Sequence, residues 1–512
     1  MRKDLAQDTQ AIVASGFGRL EHGIALFLET HPGSGGGWLQ SLQTVLPATA
    51  AIQTGGDLLP LAASIAFTAS GLRNLGLTKE DLATFSKPFR EGMMQEDRLR
   101  RLGDRRKSEW LNTVIEGGPM WSGNVEHAAP ADADRSAKVS DKQAGEPVRT
   151  KMTIHAMVLL YAQGRADVET KTAEIEALLS EKNVRIVHSL PLTLDVEEGR
   201  NFSREHFGFA DGISQPIPFD ETRAVEVAGK PADTADPVHG VRLGEILLGH
   251  INGHQEIPPG PMVRDSSDNP LPAHSDALGF RDLGRNGSYM VVRQLQQDVA
   301  AFWQSMEKAA EMLRTQDSKA DEITAEWVAE KVVGRGMDGR ALRPDGRIPN
   351  GPNGEIENAF RYFDADRYGD GCPLGSHVRR SNPRDSLAPK EDMKETLLSS
   401  ANNHRILRRA RKYGSKIADK RTDDGEERGL LFICLNTDIT RQFEFTQQTW
   451  LMNSDFSTLY EETDPLVGPD GEMTIPAEPL RYRAKVQTFV KLVGGEYFFL
   501  PSMTGLKFLA TL

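Results

Sequence analysis

Short apolar runs of strand length alternate with stretches of helical pattern along the chain. Residues 22–29 and 63–69 are two such runs, and helical patterns follow them over residues 38–46 and 70–77. Strands that alternate with helices predict a fold that combines α and β elements.

The clearest unit lies before the middle of the chain. A strand pattern over residues 152–162 precedes an amphipathic helix over residues 166–182, and residues 183–194 return as one or two strands. A strand, a helix and a returning strand make a βαβ unit. Residues 127–150, just before it, are small, polar and charged, which is typical of an exposed linker.

The second half repeats this order of elements without repeating the sequence. Strand-like residues 287–298 lead into a helix over residues 299–313, and the apolar strand 429–436 leads into a helix over residues 443–453. Two long loops rich in glycine and proline, residues 254–286 and 334–358, interrupt this half. Loops of that length inside a compact domain are usually functional or mobile.

Charge and composition narrow the class of protein. The 512 residues include 61 basic and 73 acidic ones, a net charge of −12, which argues against general binding to nucleic acid. The two cysteines, Cys372 and Cys434, are too few for a disulfide scaffold or a cysteine-rich metal centre. The N-terminus has no signal-peptide pattern and no run of 18 apolar residues occurs, so we expect a cytoplasmic protein without a membrane span.

Two segments combine glycine or proline with residues that can carry chemistry. In GFADGISQP, Asp211 lies between glycines, a pattern that lets backbone approach a ligand closely, although an ordinary Asp-Gly turn has the same spacing. In GCPLGSHVRRSNPR, His377 precedes three arginines. This arrangement is typical either of a metal ligand beside an anionic cofactor or of a surface histidine in a basic stretch.

A third segment, HRILRRARKYG, is strongly basic. Its cations are Arg405, Arg408, Arg409, Arg411 and Lys412. In an acidic chain such a cluster indicates a small anionic ligand, and the alternatives are a solvated basic face or an anchor for RNA or an acidic partner.

Taken together and in this order, the three motifs resemble the dye-decolorizing peroxidase family. GFADGISQP matches the family's G-x-x-D-G signature, SHVRRSNPR matches the segment with the proximal haem ligand, and LRRARKYG is similar to the segment with the distal arginine. The similarity continues through GLLFICLN, FEFTQQTW, ETDPLVGP and GGEYFFLPSMTGLKFL, and GFGRLEHGIALFLE resembles the long bacterial and fungal-like branch.

The resemblance implies an α+β fold of two ferredoxin-like domains with antiparallel sheets. Haem is then bound between the domains or within the C-terminal one. We place the N-terminal domain, which carries the GFADG motif, at residues 1–235 and the C-terminal haem-binding domain at residues 236–512.

Carried over residue by residue, the resemblance assigns roles at the cofactor. His377 is the proximal iron ligand, Asp211 is the distal acid/base, and Arg408 is the distal arginine, with the adjacent Arg409 as the alternative. Asp464 is the candidate carboxylate that accepts the N–H of the proximal histidine. The other residues that we expect at the cofactor are Leu430 and Phe432, which share one face of a strand, and Gly208, Gly212 and Arg384.

These roles imply a haem b peroxidase. Hydrogen peroxide is the oxidant, and dyes and phenolic compounds are oxidised in one-electron steps through a ferryl porphyrin radical. The implied partners are hydrogen peroxide and small aromatic or dye reductants, with no nucleic acid and no membrane, and the protein is a monomer or a homodimer. The alternative is a haem-binding or carrier protein, or one that releases iron from haem, with low peroxidase turnover.

Bulky dyes do not fit a pocket sized for peroxide, so electrons from them need a relay. Trp450, Tyr413 and Tyr497 lie near the haem motifs in sequence. Packing in the core is the favoured interpretation of all three.

Overall fold

The computed structural model of the chain describes residues 2–55, 59–107, 109–123, 148, 150–195, 203–219, 236–266, 269–315, 322–352, 354–477 and 481–512. The linker predicted at residues 127–150 lies almost entirely outside the described residues.

Eight strands form the core of the main sheet. They are β1 (His22–Glu29), β2 (Leu61–Phe67), β3 (Ala156–Ala162), β4 (Arg185–Thr193), β5 (Ser288–Gln297), β6 (Arg411–Tyr413), β7 (Gly429–Asn436) and β8 (Val490–Leu500).

The eight strands fall into two antiparallel groups. The first group is ordered β4–β1–β3–β2, and the second is ordered β6–β7–β5–β8. Thr193 in β4 pairs with Lys412 in β6, and Phe67 in β2 pairs with Phe499 in β8. The two groups therefore join at both sides into one closed cycle of strands.

Shorter strands extend or flank this cycle. They are Arg105–Arg106, Glu109–Trp110, Trp121–Ser122, Met152–Thr153, Ser203–Arg204, Ala210–Asp211, Ile217–Phe219, Gly240–Arg242, Met262–Arg264, Phe280–Asp282, Leu342–Arg343, Gly346–Arg347, Leu407–Arg408, Gly471–Ile475 and Tyr482–Val486. Leu407–Arg408 pairs with β7 just before β6 begins.

Five helices matter for the description that follows. They are α1 (Gly37–Val45), α2 (Arg165–Glu181), α3 (Val299–Arg314), α4 (Ala325–Val333) and α5 (His377–Ser381). The other α-helices are Lys3–Asp8, Ala69–Leu75, Lys79–Ala83, Lys87–Glu91, Glu96–Leu102, Tyr362–Ala365, Lys394–Asn402 and Met503–Leu509. Short 3₁₀ turns occur at Ala11–Val13, Ala51–Gly55, Leu243–Glu245 and Glu391–Met393.

Strands of both groups are buried on two faces. The inner face of the cycle packs into one cluster with residues from both groups, among them Phe27, Leu159, Met290, Leu431 and Phe498. The opposite face of the first group packs against helices, as Leu26 does with Ile175 of α2. Burial on two faces explains why these strands read as continuous apolar runs rather than alternating ones.

The edge of β2 is covered by side chains of the N-terminal region. The Gln10 amide is buried, accepts the N–H of Ile65 and donates to its carbonyl, each at 2.9 Å. The hydroxyl of Thr49 accepts the N–H of Ala63 at 2.9 Å. These contacts take the place that a neighbouring strand would occupy on this part of β2.

The structure confirms the α+β class and a large antiparallel sheet. The bounds of β1 and β7 agree with the predicted strands at residues 22–29 and 429–436. The helix predicted at residues 443–453 differs, because the chain is π-helical over Thr440–Glu444 and Thr446–Leu451. In the part of the chain that the structure describes, no helix has both the length and the hydrophobicity needed to cross a membrane.

Candidate functional site

A histidine and a buried carboxylate meet at the start of α5. The carboxylate of Asp464 lies 3.0 Å and 3.2 Å from Nδ1 of His377, and it also accepts the N–H groups of Leu466 and Val467 at 2.9 Å. Burial alone would raise the pKa of Asp464, but the imidazole and these N–H groups hold that pKa below its usual value. The carboxylate therefore stays ionised and fixes the ring with Nε2 as the remaining nitrogen.

Arg380, on the same helix, fixes the position of this pair. Its fully buried guanidinium donates to the carbonyls of Gly375, Trp450 and Asn453 at 2.9–3.1 Å and to the carbonyl of Glu462. These bonds connect α5 to the π-helical segment and to the loop that carries Asp464. His377 thus belongs to a buried framework and not to a surface basic stretch.

Asp211 lies at the end of a two-residue strand, Ala210–Asp211, that pairs with Ser203–Arg204. Its Oδ1 accepts the N–H of Gly212 at 2.6 Å, and within the described residues its Oδ2 makes no hydrogen bond. Half-buried and on the wall of a cavity, this carboxylate has one oxygen available to a ligand.

The loop before Asp211 is held by a second carboxylate. Glu205 accepts the N–H groups of Phe207 and Phe209 and the side-chain amide of Gln297 in β5, each at 2.8 Å. Burial raises the pKa of Glu205, although the two N–H groups oppose this shift. Glu205 thereby ties the GFADG loop to the second group of strands.

Neighbouring arginines turn to different sides of the chain. The guanidinium of Arg408 donates to the carbonyl of Ile213 at 2.7 Å, in the loop that carries Asp211. Arg409 donates instead to the carbonyls of Ile12 and Val13 at 2.6 Å and 2.7 Å, and burial lowers the pKa of Arg409 to about 10. The structure brings Arg408, and not the guanidinium of Arg409, to the Asp211 loop.

One cavity of about 760 Å³ gathers most of the predicted site residues. Leu430 and Phe432 of β7 form part of the cavity wall. Leu431, between them in sequence, lies on the other face of the strand and packs inside the strand cycle. The predicted site residues on the wall are Asp211, Gly212, His377, Arg384, Arg408, Leu430 and Phe432. Asp464 lies behind His377 and is fully buried.

The two glycines of the GFADG motif differ in position. Both have positive φ, +104° at Gly208 and +77° at Gly212, a conformation that favours glycine. Gly212 is exposed on the cavity wall, whereas Gly208 is buried away from it, and a Cβ there would lie 2.1 Å from Nζ of Lys420. Gly208 therefore shapes the turn rather than the cavity surface.

The guanidinium of Arg384 is already engaged. It donates to the carbonyl of Asn358 at 2.7 Å and to the carbonyl of Phe360, and it lies 3.3 Å from the hydroxyl of Ser214. Burial lowers the pKa of Arg384 to about 10. Arg384 therefore brings a positive charge to the cavity wall while its hydrogen bonds hold the surrounding loops.

Several residues on the wall were not predicted as site residues. The N-terminal Gly16, Gly18 and Arg19 are among them, as are His404 and Glu205. The sequence placed two of these residues near a motif: Glu205 lies three residues before GFADG, and His404 is the first residue of HRILRRARKYG. Residues 16–19 begin GFGRLEHGIALFLE, which shares the family resemblance, but no local pattern places them at the cavity.

The three aromatic residues considered for an electron relay are buried. Trp450 is 6% exposed, Tyr413 is 4% exposed, and Tyr497 is fully buried and donates to Glu444 at 2.9 Å. Their burial agrees with the favoured interpretation, packing in the core.

The known proteins to which this chain is similar in sequence include dye-decolorizing peroxidases. The multifunctional dye peroxidase DyP2 of Amycolatopsis sp. is 29% identical over 412 residues, which cover 74% of this chain and 78% of that protein. A dye-decolorizing peroxidase of Mycena epipterygia is 28% identical over 403 residues, 71% of this chain and 68% of that one. No protein-family model matches the chain.

Solved structures of dye-decolorizing peroxidases share the fold of this chain. The DyP-type peroxidase of Anabaena sp. has a TM-score of 0.70 at 25% identity, and the match covers 99% of this chain and 95% of that one. A dye-decolorizing peroxidase solved in complex with 2,6-dimethoxyphenol has a TM-score of 0.67 at 22% identity, covering 99% of both chains. The fold, the site and these relatives define the class of the protein as a peroxidase. Along most of its length and in its fold, the chain is similar to dye-decolorizing peroxidases.

Similarity to these peroxidases implies a haem cofactor, and the described residues fit one. His377 offers Nε2 on the cavity wall, and its Nδ1 is held by a buried carboxylate, as is usual for a histidine that binds a metal. Much of the wall is apolar and accepts a macrocycle, and its buried arginines suit the propionates that haem carries.

Proposed function

We propose that the chain is a haem b peroxidase that uses hydrogen peroxide to oxidise dyes and phenolic compounds in one-electron steps. One observation carries the proposal: His377, backed by Asp464, lines the same cavity as Asp211 and Arg408. An axial donor, a carboxylate with a free oxygen and a guanidinium are the groups that cleavage of a peroxide bond at iron requires.

The proposal extends to the fold. The two groups of strands have the same order when one is read in reverse, as expected for two ferredoxin-like domains. We retain residues 1–235 and 236–512 as the proposed domains, with the cofactor at their junction. The supporting observation is that Asp211 belongs to the first range and His377 to the second, while both line one cavity.

On the proximal side, Nε2 of His377 would hold the iron. The Asp464 carboxylate, ionised by its surroundings, accepts Nδ1–H and makes the imidazole a stronger electron donor. Haem, when bound, supplies the redox chemistry, because it takes oxidising equivalents from peroxide and passes them on to reductants.

Asp211 and Arg408 would transfer a proton and stabilise a negative charge during the reaction with peroxide. The free Oδ2 of Asp211 takes the proton from one oxygen of hydrogen peroxide and returns it to the other, which then leaves as water. The Arg408 guanidinium, fixed by the carbonyl of Ile213, stabilises the negative charge that develops on the departing oxygen.

A haem carrier, or a protein that releases iron from haem, is not favoured. Neither activity requires a carboxylate and an arginine in the cavity that His377 also lines. The relatives that match most of the chain are peroxidases.

The function is tested on the purified protein loaded with haem. One equivalent of hydrogen peroxide should change the visible spectrum within seconds, and 2,6-dimethoxyphenol should return it to the resting form with formation of the coloured product. A protein that keeps its haem, shows no spectral change with peroxide and oxidises neither this phenol nor an anthraquinone dye would support the carrier instead.

The positions of Arg408 and Arg409 predict opposite outcomes for two matched variants. Arg408→Leu removes the guanidinium from the Asp211 loop and should slow the reaction with peroxide about a hundredfold. Arg409→Leu removes bonds to the N-terminal backbone and should leave that rate within about threefold, with some loss of stability. Stopped-flow mixing with peroxide at equal haem loading measures both rates. A slow Arg409 variant beside a normal Arg408 variant would shift the assignment by one residue.

A further inference from the structure

The cavity wall carries positive charge that the protein does not neutralise. Six arginines on it, Arg335, Arg384, Arg405, Arg408, Arg409 and Arg411, have no carboxylate within ion-pair distance among the described residues. Their guanidiniums donate to backbone carbonyls instead. Charges held this way persist in the folded protein, so the cavity attracts anions.

Four of the described residues that line the cavity, Gly16, Gly18, Arg19 and Gly212, are exposed, and the other lining residues are buried or half-buried. We call the part of the cavity wall that these four residues form the mouth. Because Gly212 directly follows Asp211, the mouth lies beside the proposed acid/base.

Arg19 is the cation of the mouth. Its side chain makes no hydrogen bond or ion pair within the described residues, in contrast to the six arginines deeper in the cavity. The neighbouring Gly18 leaves the space beside it open, since a Cβ at that position would have no atom within 4 Å. A ligand can therefore reach the Arg19 guanidinium from solvent.

The backbone that carries Arg19 is held in place. Arg411 donates to the carbonyls of Gly16, Phe17 and Leu20 at 2.7–2.9 Å, on both sides of Arg19. Arg409 holds the preceding turn through Ile12 and Val13. Five backbone hydrogen bonds of this kind hold the mouth in place before a ligand binds. The entropic cost of binding is therefore lower.

We infer that Arg19 is a specificity-determining residue, which binds the carboxylate or sulfonate group of an anionic aromatic reductant at the mouth. The inference rests on the proposed peroxidase function and adds the charge of the preferred reductant to it. Guanidinium groups bind two oxygens of a planar carboxylate or of a tetrahedral sulfonate through paired N–H donors. Haem propionates would match two of the six deeper charges, and the field of the remaining arginines has the same sign as Arg19 and guides the anion to the mouth.

The test compares two phenols that differ by one anionic group. They are 2,6-dimethoxyphenol, which is neutral, and 4-hydroxy-3,5-dimethoxybenzoate, which has the same ring with a carboxylate. Arg19→Gln should lower kcat/KM for the benzoate about fivefold, mainly through KM, and leave the neutral phenol within about 1.5-fold. Arg19→Lys should retain part of the preference, because it keeps the charge but loses the paired N–H donors.

Salt dependence separates recognition from a structural effect. For the native protein, kcat/KM for the benzoate should fall as ionic strength rises, and Arg19→Gln should flatten that slope. Arg165→Gln is the matched control: it makes the same change in net charge on a side chain that is 81% exposed and does not line the cavity. The control should behave as the native protein does.

The outcomes distinguish this inference from the proposed function. If Arg19→Gln lowers both phenols equally, or leaves the ratio of the two kcat/KM values unchanged, Arg19 does not select the anion and the inference is wrong. If the native protein with full haem content oxidises neither phenol, the proposed function itself fails.

Discussion

Asp211→Asn should retain haem and react with hydrogen peroxide about a hundred to ten thousand times more slowly than the native protein. The amide keeps the size of the side chain and can still accept the N–H of Gly212, so the loop should persist. It cannot take a proton from peroxide, and this is the step that the free oxygen of Asp211 is proposed to perform. Stopped-flow absorbance at several peroxide concentrations gives the second-order rate constant directly.

Two controls make this result specific to the proton. Cyanide binding to the variant should be detectable in the visible spectrum, which shows that the cavity and the iron remain accessible. Asp211→Glu retains a carboxyl group in a displaced position and should recover part of the rate. An Asp211→Asn protein with the native rate constant would remove this residue from the mechanism.

His377→Ala should lose most of its haem when purified under conditions that saturate the native protein. The substitution deletes the proposed axial ligand and leaves the Asp464 carboxylate buried without the imidazole that balances it. Buried charges that lose their partner are destabilising by about 3–5 kcal/mol, so a lower melting temperature is also expected. The haem-to-protein ratio measures the loss of cofactor.

A second histidine on the cavity wall provides the matched control. His404 stacks on Phe445 at 3.9 Å, and its Nδ1 lies 2.6 Å from the carbonyl of Arg441. His404→Ala should keep its haem, and added imidazole should restore haem binding only to His377→Ala. Loss of haem from the His404 variant, with full occupancy in the His377 variant, would contradict the assignment.

The sequence predicted the strands better than it predicted the turns between them. β1 and β7 are apolar between their end residues because both faces are largely buried, so their limits are visible as changes of composition. The π-helical segment that ends at Leu451 read as an ordinary helix, since periodic patterning does not distinguish the two over so short a stretch. Closure of the strand cycle depends on single residue pairs between distant strands, which no local pattern encodes.

For the candidate site, too, the sequence predicted some residues and missed others. His377, Asp211 and Arg408 came from three motifs that are ambiguous singly and specific together and in this order, through their resemblance to a known family. The structure places all three on one cavity. Arg19 was missed for a physical reason. Its segment is held by guanidiniums that bind backbone carbonyls, and a carbonyl is present at every residue, so these contacts leave no trace in the sequence.

The Gln10 amide on the edge of β2 has a consequence for self-association. An open strand edge is a template on which another chain can add a strand and begin to aggregate. Gln10 occupies both hydrogen-bonding groups of Ile65, and Thr49 occupies the N–H of Ala63, so an incoming chain would have to displace native contacts to use this edge. The N-terminal segment that shapes the mouth of the cavity therefore also shields the sheet from intermolecular pairing.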